Sequence, residues 1–245
     1  MSVLRFAPRV KDATRCALAV NLTPEQLEEL RQIDSATIAN AIEEFNVRDK
    51  TEGYLGSDVR CLFPEIGEAV VGYAVTVKGD STTHGRRRNP SGQMDLWELV
   101  ERSPSPTILV IQDSGNNPAK SCHFGDVMAT IFKALGGVAV VTDGCVRDLS
   151  EVREIGVQYF ARGVTVSHGT SVSLEPGEPV ILDGTPIKTG DLVHADENGV
   201  VVIPDEVAGE LAEASRQVLD YEAARKEFAQ QPGFTVAKLR EMTGL

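Results

Sequence analysis

Two short stretches carry residues whose types and spacing suit the chemistry of carbonyl compounds. "HFGDVM" sets Gly125 and Asp126 at the entry of a helical pattern that continues through Val127 and Met128, and "TDGCVRDLS" places Arg147 beside Asp148. A glycine just before a helix lets a ligand approach free backbone N–H groups, and the helix dipole favours an anion there. A guanidinium suits two-pronged capture of a carboxylate, and a carboxylate suits a hard divalent cation that keeps several waters. Adjacent residues cannot face each other on a regular helix or strand, so Arg147 and Asp148 are expected to serve separate partners. Plainer readings stand beside these. Gly125-Asp126 can be a turn and a first-turn acid, Asp148 with Glu151 an Asp-x-x-Glu helix cap, and Arg147 a solvated loop residue. Topology favours a shared site, because both stretches follow the C-terminal ends of consecutive predicted strands, where open α/β sheets place ligands.

The elements that must position these residues are legible around them. "TILVIQD" from 107, a helix from Asp126 to Leu135, "VAVVTD", a helix from about Asp148 to Ile155, and "VQYFAR" form a β-α-β-α-β unit. Its strands are continuously apolar, which predicts parallel pairing with both faces covered. The first helix carries apolar residues at 127, 128, 131, 134 and 135 as one expected stripe, closed by Gly136 and Gly137. Upstream, Thr23, Pro24 and Gln26 predict a capping box, a second helix starts at Ser35, and residues 68–79 read as a strand before a polar loop from Asp80. Downstream, Asp183-Gly184 and Asn198-Gly199 are hairpin signals. A last helix is expected from about Asp205, with Val207, Leu211, Ala214, Val218 and Tyr221 on one side.

Composition narrows the partners. The 245 residues are 42% hydrophobic and 24% charged, ordinary usage for a globular chain. A net charge of −12 opposes nucleic-acid binding, and no run of 18 apolar residues predicts a membrane span, so a cytoplasmic protein is expected. The four cysteines, Cys16, Cys61, Cys122 and Cys145, have no CxxC spacing and read as reduced thiols, with Cys122 and Cys145 filling core space. His84, His123, His168 and His194 lack paired metal-ligand spacing and read as loop or surface residues, with His123 near enough to the glycine turn to touch a ligand. Arg86, Arg87 and Arg88 read as a solvated loop that could also draw an anion inward. A dinucleotide-dependent dehydrogenase is set aside because no GxGxxG follows a strand.

The run "FGDVMATIFKALGGVAVVTDGCVRDLSEV" resembles the family that unites the regulator of ribonuclease E activity A (RraA) with class II 4-hydroxy-4-methyl-2-oxoglutarate (HMG/CHA) aldolases. Asp126, twenty residues, then Arg147-Asp148 match that family's D-x20-R-D signature. "DSATIANAIEEF", "GEAVVGYAVTVKG" and "KTGDLVHADENGVVVIP" are similar to further family segments, the last with Thr189 where proline is usual, so the likeness spans roughly residues 34–220. Outside it stand an N-terminal helical extension of about 1–33 and the loop 81–97. The resemblance implies one RraA-like domain over 1–245, of α/β class and swivelling β/β/α (phosphohistidine-domain-like) fold, with C-terminal antiparallel hairpins and helix. It further implies a homotrimer or dimer of trimers, a Mg²⁺ or Mn²⁺ cofactor, and cleavage of a 2-oxo acid to release pyruvate, with oxaloacetate decarboxylation as a companion activity. By position, Arg147 would hold the pyruvyl carboxylate, the backbone from Gly125 through Asp126 and Val127 to Met128 would assist, Asp148 would bind the metal directly or through water, and Asp126 would order the site. A neighbouring subunit's Glu222 or Glu227 would supply an acid. The rival expectation is a non-catalytic regulator that binds a protein such as an endoribonuclease.

Overall fold

The computed structural model describes residues 21–85, 91–170 and 172–244. The chain opens with α1 (Pro24–Arg31), where the Thr23 hydroxyl accepts from the Gln26 N–H and the Gln26 side chain accepts from the Thr23 N–H, as the capping box predicts. Helix α2 (Ser35–Phe45) is capped by the Asp34 carboxylate. Strand β1 (Arg60–Cys61) and the long β2 (Val70–Asp80) follow. The expected loop over 81–97 is shorter than its polarity implied, because α3 (Gly92–Arg102) starts inside it and buries Leu96, Trp97, Leu99 and Val100. Arg86, Arg87 and Arg88 lie outside the described residues, as does Cys16.

The central unit is β3 (Thr107–Asp113), α4 (Asp126–Ala134), β4 (Gly137–Val146), α5 (Leu149–Ile155) and β5 (Gln158–Val164). Strands β2 to β5 pair in parallel in that order. Their unbroken apolar runs come from burial on both faces. Leu109, Ile111, Val140 and Tyr159 enter a core under α3, α4 and α5, while Ile108, Val110, Val141 and Phe160 enter a second core on the opposite face. Each fully buried side chain of this size stabilises the fold by about 1.5–3 kcal/mol relative to exposure. The stripe expected on α4 holds only at Met128 and Leu135, which pack partly buried against the core; Ala129 and Phe132 face it fully, whereas Val127 and Ile131 are exposed, since the helix lies on the sheet along its 129–132 edge.

Strand β6 (Val172–Leu174) pairs with the far end of β2, and β7 (Val180–Leu182) with β8 (Thr185–Ile187) through Asp183-Gly184, both at positive φ as a primed turn requires. Strands β9 (Leu192–Asp196) and β10 (Gly199–Ile203) pair antiparallel, with Gly199 already opposite Asp196. That turn falls on Glu197-Asn198, one residue earlier than the Asn-Gly signal, because the Asp196 carboxylate accepts the Asn198 N–H at 2.8 Å. The main sheet runs β1-β5-β4-β3-β2-β9-β10. Helices α6 (Leu211–Gln230) and α7 (Val236–Thr243) end the chain. The last long helix thus begins at Leu211 and not at Asp205: residues 204–210 close in three-residue turns, Val207 N–H to Pro204 and Glu210 N–H to Val207. Val207, Leu211 and Ala214 are buried as expected, but Tyr221 is 47% exposed because α6 outruns the core.

A third core joins the front and back of the chain, with Leu27 and Leu30 of α1 packed among Tyr73, Leu192 and Leu211. Of the extension expected over about 1–33, residues 1–20 lie outside the described residues. His194, expected at the surface, is fully buried in this layer. Its Nε2 lies 3.1 Å from the Leu30 carbonyl and its Nδ1 2.9 Å from the Ser35 hydroxyl. A carbonyl only accepts, so Nε2 carries the proton and Nδ1 receives the Ser35 hydroxyl hydrogen. No helix among the described residues is long and apolar enough to cross a membrane.

Candidate functional site

Strand β4 runs past the predicted "VAVVTD" through Gly144 and Cys145 to Val146, with a register shift between Thr142 and Cys145. Arg147 therefore emerges directly at the strand's C-terminal end. Its N–H donates to the Phe124 carbonyl at 3.0 Å and its carbonyl accepts from the Tyr159 hydroxyl at 3.3 Å. Phe124 packs edge-on against both Phe132 and Tyr159, and Tyr159 stacks on Phe63, giving the site an aromatic floor. Burial, with the nearby Cys122 and Asp148, pushes the Tyr159 phenol far up, so it stays a donor.

Asp148 is in the left-handed region at φ 58° and ψ 48°. This conformation, which costs most side chains about 1–2 kcal/mol but is best tolerated by Asn and Asp, turns the carboxylate back. Arg147 Nε then lies 3.2 Å from Asp148 Oδ2, so the two side chains touch, a contact that regular helix or strand geometry does not contain. The Asp-x-x-Glu cap is absent too, since Asp148 makes no side-chain bond to its own helix. It instead accepts the Asp126 N–H at 3.2 Å and caps α4 from across the loop. Gly125 makes this possible. A Cβ there would stand 2.5 Å from Asp148 Oδ2 and 3.0 Å from Arg147 Nε, so the glycine is needed for close approach and not for its extended backbone.

Above this arrangement is a cleft of about 220 Å³. Gly125, Asp126, Val127, Met128 and Arg147 line it, bringing five of the six predicted residues together. Asp148 lies behind Gly125 and is held by its contacts to Asp126 and Arg147. The Asp126 carboxylate accepts the Val127 N–H at 2.7 Å. Two further residues line the cleft: Gln93, at the start of α3, which the sequence reading passed over, and His168, in the loop after β5, which it read as a loop or surface residue with no role. The rule that selected Gly125 and Arg147, namely position beyond a parallel strand's C-terminal end, applies equally to β5 and would have selected His168.

His123 borders the cleft from the loop before α4, near the glycine turn as expected, but it is only 6% exposed and so is not a surface residue. Its Nε2 lies 2.6 Å from Asp113 Oδ2. Burial alone would raise the Asp113 pKa, but the bond and charge of His123 hold it below the ordinary value. Asp143 accepts the Asp113 N–H at 2.6 Å, and its own carboxyl is pushed up by burial. The thiols of Cys122 and Cys145 are buried, and burial raises both, as suits core-filling residues. Glu222 and Glu227 sit on α6, with Glu222 bonded to Asn40 and Lys226, and neither lines this cleft.

The donor set can be tested against a cation. No group of three or more His, Cys, Asp or Glu suited to a metal occurs among the described residues. One carboxylate beside a cleft does not fit zinc, which takes three or four protein ligands, but it fits Mg²⁺ or Mn²⁺, which take few carboxylates and keep waters. Asp148 is the residue that would hold such an ion, with Asp126 next to it.

The profile of the RraA-like family, described as Aldolase/RraA, matches residues 35–202. Protein DlpA of Legionella pneumophila is 25% identical over 185 residues, covering 75% of this chain and 28% of that protein. A Halalkalibacterium halodurans protein named "Putative 4-hydroxy-4-methyl-2-oxoglutarate aldolase" is 29% identical over 133 residues, covering 54% of this chain and 62% of that one. The chain thus spans less than two thirds of the length of either relative. Among solved structures, an uncharacterized Pseudomonas syringae protein superposes with a TM-score of 0.71 at 23% identity, over 94% of this chain and all of that one, which shows the shared fold. A Streptomyces coelicolor protein, described as an unusual member of the RNase ES inhibitor RraA protein family, gives a TM-score of 0.66 at 27% identity, over 84% of this chain and 97% of that one.

Proposed function

Because this chain belongs to the RraA-like (Aldolase/RraA) family, we propose that it is a divalent-metal-dependent aldolase that cleaves a 4-hydroxy-2-oxo acid and releases pyruvate. The observation that carries the reading is the gathering of Arg147 and the Gly125–Met128 helix start on one cleft, with Asp148 held directly behind Gly125 by its contacts to both. Arg147 binds the substrate carboxylate through its terminal guanidinium nitrogens, for which no hydrogen bond is found among the described residues. The N-terminus of α4 adds positive potential on the same side. Asp148 would hold Mg²⁺ or Mn²⁺, which would supply Lewis-acid stabilisation of the charge that develops on the 2-oxo oxygen. The protein's own part is to orient the acid and exclude water from its reacting end. The same site fits oxaloacetate, whose decarboxylation develops charge at the same oxygen. We further propose that the protein is a homotrimer, a reading supported by the exposed Val127 and Ile131 on α4 and by Leu219 and Tyr221 on α6.

The test is pyruvate release from a panel of 2-oxo acids, with and without Mg²⁺ or Mn²⁺. Metal-dependent release supports the reading, and release unaffected by chelator overturns its metal dependence. The Streptomyces neighbour favours a second reading, a regulator that binds an endoribonuclease. A chain that binds such a partner and releases no pyruvate from any acid in the panel fits that reading instead.

A further inference from the structure

We propose that His168, from this chain's own β5 loop, is the base that takes the proton from the substrate's C4 hydroxyl. The inference rests on the aldolase reading above and adds the one group that reading leaves unassigned. Aldol cleavage needs a proton acceptor facing the cleft, and the candidates there differ sharply in freedom.

The Asp126 carboxylate is engaged by the Val127 N–H, and Asp148 by the Asp126 N–H and by Arg147. His123 has its Nε2 committed to Asp113, and its ring is walled by backbone. A Cβ on Gly79 would stand 2.6 Å from its Nδ1, and one on Gly144 would stand 2.7 Å from its Cδ2. His168 is exposed and lines the cleft. Its Nδ1 is 2.9 Å from the Gly169 carbonyl. That oxygen accepts only, so Nδ1 carries the proton and Nε2 of the neutral ring keeps its lone pair. A backbone carbonyl on Nδ1 is the usual device that orients an imidazole for proton transfer.

The loop is held in place. The Thr170 N–H donates to the Ser81 carbonyl at 3.0 Å, and the Ser81 hydroxyl accepts the Cys122 N–H at 2.9 Å, tying the His168 loop to the cleft wall. Gly169 is at φ +52°, and any Cβ there would collide with the Ser81 carbonyl oxygen, so only glycine lets the loop approach this closely.

In the reaction, Nε2 takes the C4 hydroxyl proton and the O–H electron pair becomes the new carbonyl bond. The C3–C4 bond breaks, and its electron pair forms the enolate of pyruvate with charge on the C2 oxygen. The imidazolium then protonates C3, which gives pyruvate and returns the neutral ring. Decarboxylation of oxaloacetate forms the same enolate with no hydroxyl to deprotonate.

That difference supplies the test. In His168→Gln, cleavage of a 4-hydroxy-2-oxo acid should lose about a hundredfold in kcat, the lower end of general-base contributions, with KM little changed. Oxaloacetate decarboxylation should stay within about twofold of wild type. Imidazole added to His168→Ala should restore part of the cleavage rate. Unchanged cleavage in His168→Gln, or equal loss of both activities, overturns the assignment while leaving the aldolase reading intact. A wild type that releases pyruvate from neither substrate overturns the aldolase reading and this inference with it.

Discussion

Replacing Asp148 by asparagine separates chemistry from architecture more cleanly than any other change at this site. Asparagine keeps an oxygen to accept the Asp126 N–H and is, with aspartate, the side chain that best tolerates the left-handed backbone at φ 58°. What disappears is the negative charge. Arg147 and Asp148 have side chains 33% and 31% exposed at 3.2 Å, so the lost pair is worth no more than about 1 kcal/mol. The lost charge at the α4 N-terminus adds about 0.3–1 kcal/mol. Together these lower the melting temperature by roughly 1–8 °C in a chain of this size. If Asp148 holds the metal, turnover should fall about a hundredfold or more at low Mg²⁺, since several kcal/mol of transition-state stabilisation go with the ion. Added Mn²⁺ should recover part of it. Asp148→Gly makes the converse comparison, because it relieves the left-handed backbone, by less than the about 1–2 kcal/mol that most side chains carry there, and still removes the ligand. Melting curves and initial rates of pyruvate release against metal concentration decide the matter. Full activity of Asp148→Asn at low metal would refute the reasoning and leave Asp148 as a cap for α4.

Arg147→Lys keeps the charge but not the fork, so kcat/KM should drop by about 2–4 kcal/mol equivalent while the fold persists, and steady-state kinetics on oxaloacetate and a hydroxy acid would show it in both. His194 is held below its ordinary pKa by burial, which outweighs the opposing Leu30 carbonyl and the Asp196 and Asp34 carboxylates. Its folded pKa is below the unfolded value of about 6.5, so its contribution to stability is full above that pH and is lost as pH falls. Melting temperature should therefore decline below about pH 6.5, and a decline of equal size in His194→Gln would remove His194 as the cause. Light scattering at micromolar concentration should return a trimer, and a 26.4 kDa monomer would remove the proposed assembly.

The sequence by itself determined the parallel unit and most of the site. Continuous apolar strands separated by helix patterns admit only a sheet buried on both faces, and that topology alone brings Gly125 and Arg147 to one edge. The capping box at Thr23 and the Asp183-Gly184 turn were equally legible, because their causes are local: a hydroxyl three residues from its donor and two residues at positive φ. Tertiary structure decided what spacing cannot express. The contact of Arg147 with Asp148 depends on a single left-handed residue, and the side of α4 that is buried depends on how the helix lies on the sheet, so Val127 and Ile131 face outward despite an apolar period. Gln93 and His168 reach the cleft from segments 75 residues apart in sequence, the His168 loop brought there by the close packing of Gly169 on Ser81. His194 is polar by type and buried by position, because only the folded chain sets the Leu30 carbonyl and the Ser35 hydroxyl on opposite sides of its ring.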